Sequence, residues 1–430
     1  MNVDTTLIYY VMDRVFPIKT DTSCLLKWGW STIYLSNGST ASCHRCQKHE
    51  FNLETFNFHN TPQKIADREM MLEGKWPGNG CEYCRDIELA GGESDRITNL
   101  TMPGVPSPIE LENNPVATNV TPTVLEVYFS NVCNQKCIYC HELFSSMWAE
   151  ENYARPEESK KLKLNVDDGK FFKNSADFND NKQKVYDWLK DHGKGLSQFN
   201  FLGGEPLFQK EFIECLDVFD EKPSPNLKLQ IFSNLNIKKE KLVEVIQKIE
   251  NLIGKRKIGS FQITASLDNW GPEAEYVRYP LNLKSWEENF LYLLSKKYIN
   301  LVINSTLTPL TIKTYPLLLE KVREWSKVRK IFLYQNSVNW PDNQKIDIFG
   351  DIFEKDFQRA LELKPSDTDE DKLSKNYLDG IRQQSKSRKP NVEQISSLFQ
   401  FLNEIDIRRN LNWRTTFPWL TEEFAKYNLL

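Results

Sequence analysis

From residue 124 onward, short apolar runs alternate with longer segments whose apolar residues recur every three or four positions. The runs at 124–129, 199–202, 227–232, 261–265, 301–305 and 331–334 read as strands. Between them, residues 241–255 place Leu242, Val245, Ile246, Ile249, Leu252 and Ile253 on one stripe, with Gly254 as a helix cap. Residues 286–294 and 315–325 repeat that helical pattern. Strands alternating with amphipathic helices imply parallel pairing through right-handed crossovers. The expected fold is therefore α/β, a partial (β/α)6 TIM-like barrel of parallel strands, two units short of the closed eight.

Other stretches mark the boundaries. Residues 101–123 carry five prolines without periodicity and read as a linker. It separates a small cysteine-rich N-terminal domain (1–100) from the barrel (124–345), and a helical extension (346–430) follows. Residues 141–197 form a charged excursion between the first two strands, with a helix near 182–190. The stretch 365–390, acidic and then basic, reads as a solvated loop or frayed helix.

Composition narrows the class. A chain of 430 residues with 40% hydrophobic and 27% charged residues is long enough for a large core and ordinary for a soluble protein. The formal net charge of -4 argues against a bulk electrostatic grip on nucleic acid or an anionic membrane. No apolar stretch reaches the length of a membrane span. The first residues have two acids and no basic head, so they do not read as a secretory signal, and a cytoplasmic protein is expected.

Seven of the nine cysteines fall in three clusters: Cys43/Cys46, Cys81/Cys84 and Cys133/Cys137/Cys140. Such short spacings in a reducing compartment favour metal or cluster ligation over disulfides. Cys215, among Phe208, Phe212, Leu216 and Phe219 at helical spacing, reads as a core thiol, and Cys24 before two leucines is read the same way.

Cys133-Asn-Gln-Lys-Cys137-Ile-Tyr-Cys140 follows the first strand directly. A 4Fe-4S cube is usually held by four thiolates, so three on one loop leave one iron open to a ligand. A three-cysteine zinc site completed by His141 is the competing reading. The other strands also end in polar groups: Gly203-Gly204-Glu205-Pro206, Ser233-Asn234, Ser266 with Asp268-Asn269, Asn304, and Gln335-Asn336. In a (β/α) barrel, chemistry sits at that rim.

The cysteine spacing, with an aromatic residue before the last cysteine, resembles the signature of the radical S-adenosylmethionine (SAM) superfamily. Gly203-Gly204-Glu205-Pro206 is similar to that family's glycine-rich motif, and the match spans about residues 122–340 in order. The resemblance implies a 4Fe-4S cluster on Cys133, Cys137 and Cys140, with SAM bound to the open iron and cleaved to a 5′-deoxyadenosyl radical that abstracts hydrogen from a substrate. It implies that Gly203, Gly204 and Glu205 meet the methionyl amine, and that Ser233, Ser266 and Asp268 meet the ribose or carboxylate. Arg278 would pair the carboxylate, and Tyr139 and Asn304 would flank adenine. For Asp268 a helix N-cap, and for Arg278 a surface ion pair, are the plain alternatives.

In the N-terminal domain, Cys43-His-Arg-Cys46 and Cys81-Glu-Tyr-Cys84 can complete the shell of one centre, a structural zinc or a second 4Fe-4S cluster. His44, His49 and His59 are competing ligands, and Trp76-Pro-Gly-Asn-Gly80 reads as a turn presenting Cys81. The segment Cys81, Cys84, Glu88, Gly91, Ser94, Arg96 resembles the accessory-cluster segments of SPASM or twitch domains, although those usually follow the barrel. Enzymes of this type most often modify peptide or protein side chains, using an electron donor such as flavodoxin or ferredoxin. Modification of a nucleotide, sugar or small metabolite is the alternative substrate class, and a zinc-bearing interaction module is the non-enzymatic one.

Overall fold

The structure, a computed structural model, describes residues 22–99, 116–164 and 178–430. Residues 101–115 of the Pro-rich stretch and 165–177 of the excursion lie outside the described residues.

Among the described residues a mixed α/β fold is built on one nine-stranded sheet. Three strands come from the N-terminal segment: β1 (Trp30–Tyr34), β2 (Ser39–Ala41) and β3 (His49–Glu50). The others are β4 (Val124–Tyr128), β5 (Gln198–Leu202), β6 (Ser224–Ser233), β7 (Ile258–Ser266), β8 (Ile299–Leu307) and β9 (Phe332–Ser337). The order is β3-β2-β1-β4-β5-β6-β7-β8-β9. From β4 to β9 every neighbouring pair is parallel, as the alternation of strand and helix predicts. The sheet also runs past the Pro-rich stretch: β1 pairs parallel to β4, Trp30 opposite Val124 and Tyr34 opposite Tyr128. The hairpin β1–β2 and the short β3 then continue it antiparallel.

Helices cover one face. They include α1 (Pro62–Leu72), α2 (Glu82–Leu89), α3 (Ser146–Ala154), α4 (Phe178–His192), α5 (Lys210–Glu221), α6 (Lys239–Gly254), α7 (Pro272–Val277), α8 (Leu283–Leu294) and α9 (Tyr315–Trp325). Alternation along the strands sends Leu125, Val127, Phe199, Phe201, Leu229, Ile231, Phe261 and Ile263 into one core with Leu242, Ile246, Phe290 and Leu318. Burying such a side chain contributes about 1.5–3 kcal/mol each. The alternate positions face the other way and include a row of polar residues. Gln198 donates to Asn200 (2.8 Å) and Gln230 (3.4 Å), Asn200 to Glu126 (2.9 Å), and Thr32 to Glu126 (2.8 Å), so one hydrogen-bonded row crosses β6, β5, β4 and β1.

Two expectations change. Residues 369–387 form a regular helix, α11 (Asp369–Ser387), preceded by α10 (Glu354–Leu363) and followed by α12 (Val392–Arg409). Thr368 and Asp371 make a reciprocal capping box at its start, and Leu378, Ile381 and Ser385 are buried. It is an amphipathic helix rather than a loop or frayed segment. Cys215 is a buried core thiol on α5 with Phe212, Leu216 and Phe219, but Phe208 precedes that helix and is 52% exposed.

Candidate functional site

The loop after β4 is built to hold its cysteines at fixed positions. Ser146 Oγ bonds both the N–H (3.2 Å) and the carbonyl (3.3 Å) of Cys133, and Ser145 Oγ donates to the Gln135 carbonyl at 2.6 Å. The buried Trp148 donates its indole N–H to the Cys137 carbonyl (2.7 Å). The last residue of α7 and the segment after it close the other side, where Ile138 N–H reaches Val277 O (2.9 Å) and Lys136 N–H reaches Tyr279 O (2.7 Å). Cys133, Cys137 and Cys140 are all free and partly buried.

The glycine pair supports this loop from beneath. Gly203 (φ +95°) lies so close that a Cβ would stand 2.3 Å from Ser130 O, and on Gly204 (φ +30°) it would stand 2.0 Å from Val132 O. Glu205 N–H then bonds Val132 O at 2.8 Å. The two glycines are therefore required where backbone meets backbone, immediately before Cys133, rather than by a ligand alone.

Glu205 is buried and receives Ser233 Oγ (2.7 Å), Asn234 N–H (2.6 Å) and Leu207 N–H (3.1 Å). Burial pushes its carboxyl up to about 7 against the pull of those donors. Ser233, expected near the ribose, is thus committed to Glu205. Its neighbour Asn234 donates to Asn134 (2.9 Å) and lies 3.9 Å from Cys133 Sγ, a contact that the strand-end pattern placed at the rim without a role.

Asp268 and Arg278 form a buried pair. Arg278 Nε donates to Oδ2 (2.9 Å) and Nη2 to Oδ1 (2.7 Å), while Tyr139 OH (2.7 Å) and Thr306 N–H (2.8 Å) complete the carboxylate's shell. Both plain alternatives are set aside: Asp268 caps no helix with its side chain, and Arg278 is 6% exposed. Arg278 Nη1 points toward Cys137 Sγ at 4.0 Å. Burial raises all three thiols, Cys140 up to about 12, and the guanidinium opposes that rise at Cys137 and Cys140. Asn304 accepts from Asn336 (2.8 Å), and Ser266, partly exposed, ends β7 beside it. His141 packs its ring against Phe144 and Trp340 and accepts Leu143 N–H at Nδ1 (3.3 Å).

The N-terminal cysteines also gather. Cys43 donates to Cys46 Sγ at 3.3 Å, and Cys81 bonds the same sulfur. At 3.3 Å the Cys43 and Cys46 sulfurs are closer than the roughly 3.5–4 Å around one zinc ion and closer still than around a cube, so holding either centre requires these side chains to turn apart within the pocket they share with Cys81 and Cys84. Among the described residues, no three His, Cys, Asp or Glu side chains converge as the shell of a single ion demands. Gly80 (φ +99°) presses the second pair onto the first: a Cβ there would stand 2.2 Å from Arg45 O, and Gln47 N–H bonds Asn79 O at 2.9 Å. The turn before Cys81 therefore joins the two pairs as well as presenting one.

Cys24 shares the pocket with Cys43, Cys46, Cys81 and Cys84, and burial raises its thiol to about 11. Sequence reading missed it because it stands alone, nineteen positions before Cys43. The three histidines turn elsewhere. His44 pairs with Glu126 (2.8 Å), His49 with Thr61 Oγ1 (2.8 Å), and His59 with Ser31 Oγ (2.7 Å) and Trp28 O (2.9 Å). Glu88 binds Ser94 Oγ (2.5 Å) and Arg96, and Arg96 Nη1 donates to Ser23 O (3.0 Å) beside Cys24.

No helix among the described residues is long and apolar enough to cross a membrane. No family model and no curated protein matches the chain. Among solved structures it is similar to SuiB of Streptococcus suis bound to the precursor peptide SuiA, at 14% identity and a TM-score of 0.37, over 77% of this chain and 66% of that one. It is similar also to SuiB bound to S-adenosylmethionine, at 14% identity and a TM-score of 0.34, over 84% and 71% of the two chains. At these scores the likeness assigns neither substrate nor site residue, and the chain spans about two thirds of the length of the first of these structures.

Proposed function

We propose that the chain is a radical SAM enzyme that modifies a peptide or protein side chain, on a sheet curved into a partial barrel. The donor set fits: three free thiols on one rigid loop, a guanidinium beside one of them, and a buried carboxylate on the next strand's end. A 4Fe-4S cluster on Cys133, Cys137 and Cys140, when present and reduced, supplies the electron that cleaves bound SAM to a carbon radical.

This chain's own residues bind and orient. Glu205 accepts from the methionyl amine, with Ser233 and Asn234 fixing its carboxylate. Arg278 offers Nη1 to the SAM carboxylate while Asp268 grips its other nitrogens, so Asp268 acts by positioning. Ser266 serves the ribose, and Tyr139 and Asn304 flank adenine. Phe232 and Tyr334, partly exposed on the sheet face opposite the helices, together with the half-buried Gln262, give a peptide both apolar and hydrogen-bonding surface. In the N-terminal pocket we place a second 4Fe-4S cluster on Cys43, Cys46 and Cys81, with its fourth iron held by either Cys24 or Cys84, both of which line the pocket; a zinc ion is the alternative. Electrons come from a flavodoxin- or ferredoxin-type donor.

The observation that carries this reading is the contact of Gly203–Glu205 with residues 130–132, which holds the glycine-rich turn and the three-cysteine loop as one unit. Anaerobic reconstitution with iron and sulfide, followed by iron counting and assay for 5′-deoxyadenosine, tests it. Wild type should yield the product and Cys137→Ala should not; product from purified Cys137→Ala removes the assignment.

A further inference from the structure

Lys27 is a buried lysine whose ammonium touches sulfur. Its side chain is 3% exposed, and Nζ stands 3.3 Å from Cys46 Sγ and 2.5 Å from Asp67 Oδ2. Both ends of this arrangement are fixed. The Lys27 carbonyl accepts Arg68 Nε (2.9 Å), and Gln63 Nε2 holds the second oxygen of Asp67 at 2.9 Å. A desolvated ammonium is costly unless its hydrogens find acceptors, and here one of them is directed at the sulfur about which Cys43 and Cys81 gather. The nearby buried Lys64 differs: its Nζ bonds Ser31 Oγ, Thr40 Oγ1 and Ala41 O, and no sulfur. Contact with the thiols is thus particular to Lys27.

We propose that Lys27 sets the reduction potential of the N-terminal centre, raising it by donating a hydrogen bond to the Cys46 sulfur and placing positive charge beside the thiolates. The inference rests on the reading that these cysteines hold a 4Fe-4S cluster. Net charge and hydrogen bonds to sulfur are among the factors that fix a cluster's potential. One-electron reduction adds negative charge and breaks no bond, so a nearby N–H donor favours the reduced state. Asp67 opposes the effect by offsetting the charge, and Lys27 and Asp67 therefore tune the centre in opposite directions.

The test uses the full chain with Cys133, Cys137 and Cys140 replaced by Ala, so that the N-terminal centre is the iron site under study. After reconstitution, iron is counted and the midpoint potential measured by dithionite titration with spectroscopic detection. Lys27→Met should shift the midpoint to more negative values, Lys27→Arg should retain most of the parent value, and Asp67→Asn should shift it to more positive values. Both Lys27→Met and Asp67→Asn break the same ion pair, so a merely structural role predicts no such opposition. Equal midpoints, or shifts of one sign, overturn the role of Lys27. A chain that binds zinc and no iron overturns the cluster reading beneath it.

Discussion

Arg278 holds Asp268 through two nitrogens and aims its third at Cys137, 4.0 Å from the sulfur. A residue in the segment after α7 is thereby tied at once to the end of β7 and to the loop after β4. Breaking a buried pair of this kind costs about 3–5 kcal/mol, because the survivor is left charged and unpaired. Asp268→Asn should lower the thermal midpoint of the metal-free chain and reduce SAM binding. Arg278→Lys should rescue neither, since an ammonium lacks the planar fork. A Lys variant with full SAM affinity by calorimetry would show that the fork is not needed.

The glycine turn gives a second prediction. A methyl group at Gly203 or Gly204 meets backbone oxygen at 2.3 or 2.0 Å, so the turn or the cysteine loop must move. Displacement of a cluster ligand by an ångström costs on the order of 100-fold in rate. Gly204→Ala should stay folded by circular dichroism yet give little 5′-deoxyadenosine and less iron per chain. Normal output from a folded variant means that the close approach has no part in the chemistry.

The third prediction separates Cys24 from Cys84. Burial and the proximity of Cys46 place Cys24 among the thiols that act on one another. On a chain already lacking Cys133, Cys137 and Cys140, Cys24→Ser should lose most of the remaining metal, measured by elemental analysis. Retention of the full complement assigns the fourth position to Cys84.

The fourth is a pH dependence. Glu205 titrates near 7 in the folded chain, above its ordinary carboxylate value of 4.5, because burial outweighs its three hydrogen bonds. The folded state therefore holds this proton more tightly than the unfolded one. The stabilising contribution is full below about pH 4.5 and is lost as pH rises through about 7. SAM binding runs the other way, since the amine needs a carboxylate acceptor, and should strengthen from about pH 6 to about pH 8. Glu205→Gln should flatten both profiles, followed by thermal melts and by calorimetry; a variant that keeps either slope assigns that slope to another group.

The parallel core from β4 to β9 was legible because its strands are short apolar runs and its helices carry regular stripes, as in α6. The glycine motif and the three-cysteine loop were legible as a spacing, yet the purpose of the glycines was not. Their close contacts join residues more than 70 positions apart, which no local pattern records. β1 was missed because Trp-Ser-Thr-Ile-Tyr is a five-residue strand of mixed polarity inside a segment dominated by cysteines. α11 was misread although its capping signal, Thr368 with Asp371, stands in the sequence, because charge outweighed the sparse apolar stripe. Cys24 and Lys27 have no local signature at all, and only tertiary packing brings them to Cys46.

The parallel pairing of β1 with β4 also governs the order of events during synthesis. Thr32 and Glu126, hydrogen-bonded partners in the folded chain, are 94 positions apart. At about 5–20 residues per second, β1 leaves the ribosome several seconds or more before the strand that must receive it. Over that interval Cys24, Cys43 and Cys46 are translated without their sheet neighbour, exposed to whatever metal or oxidant the nascent chain meets.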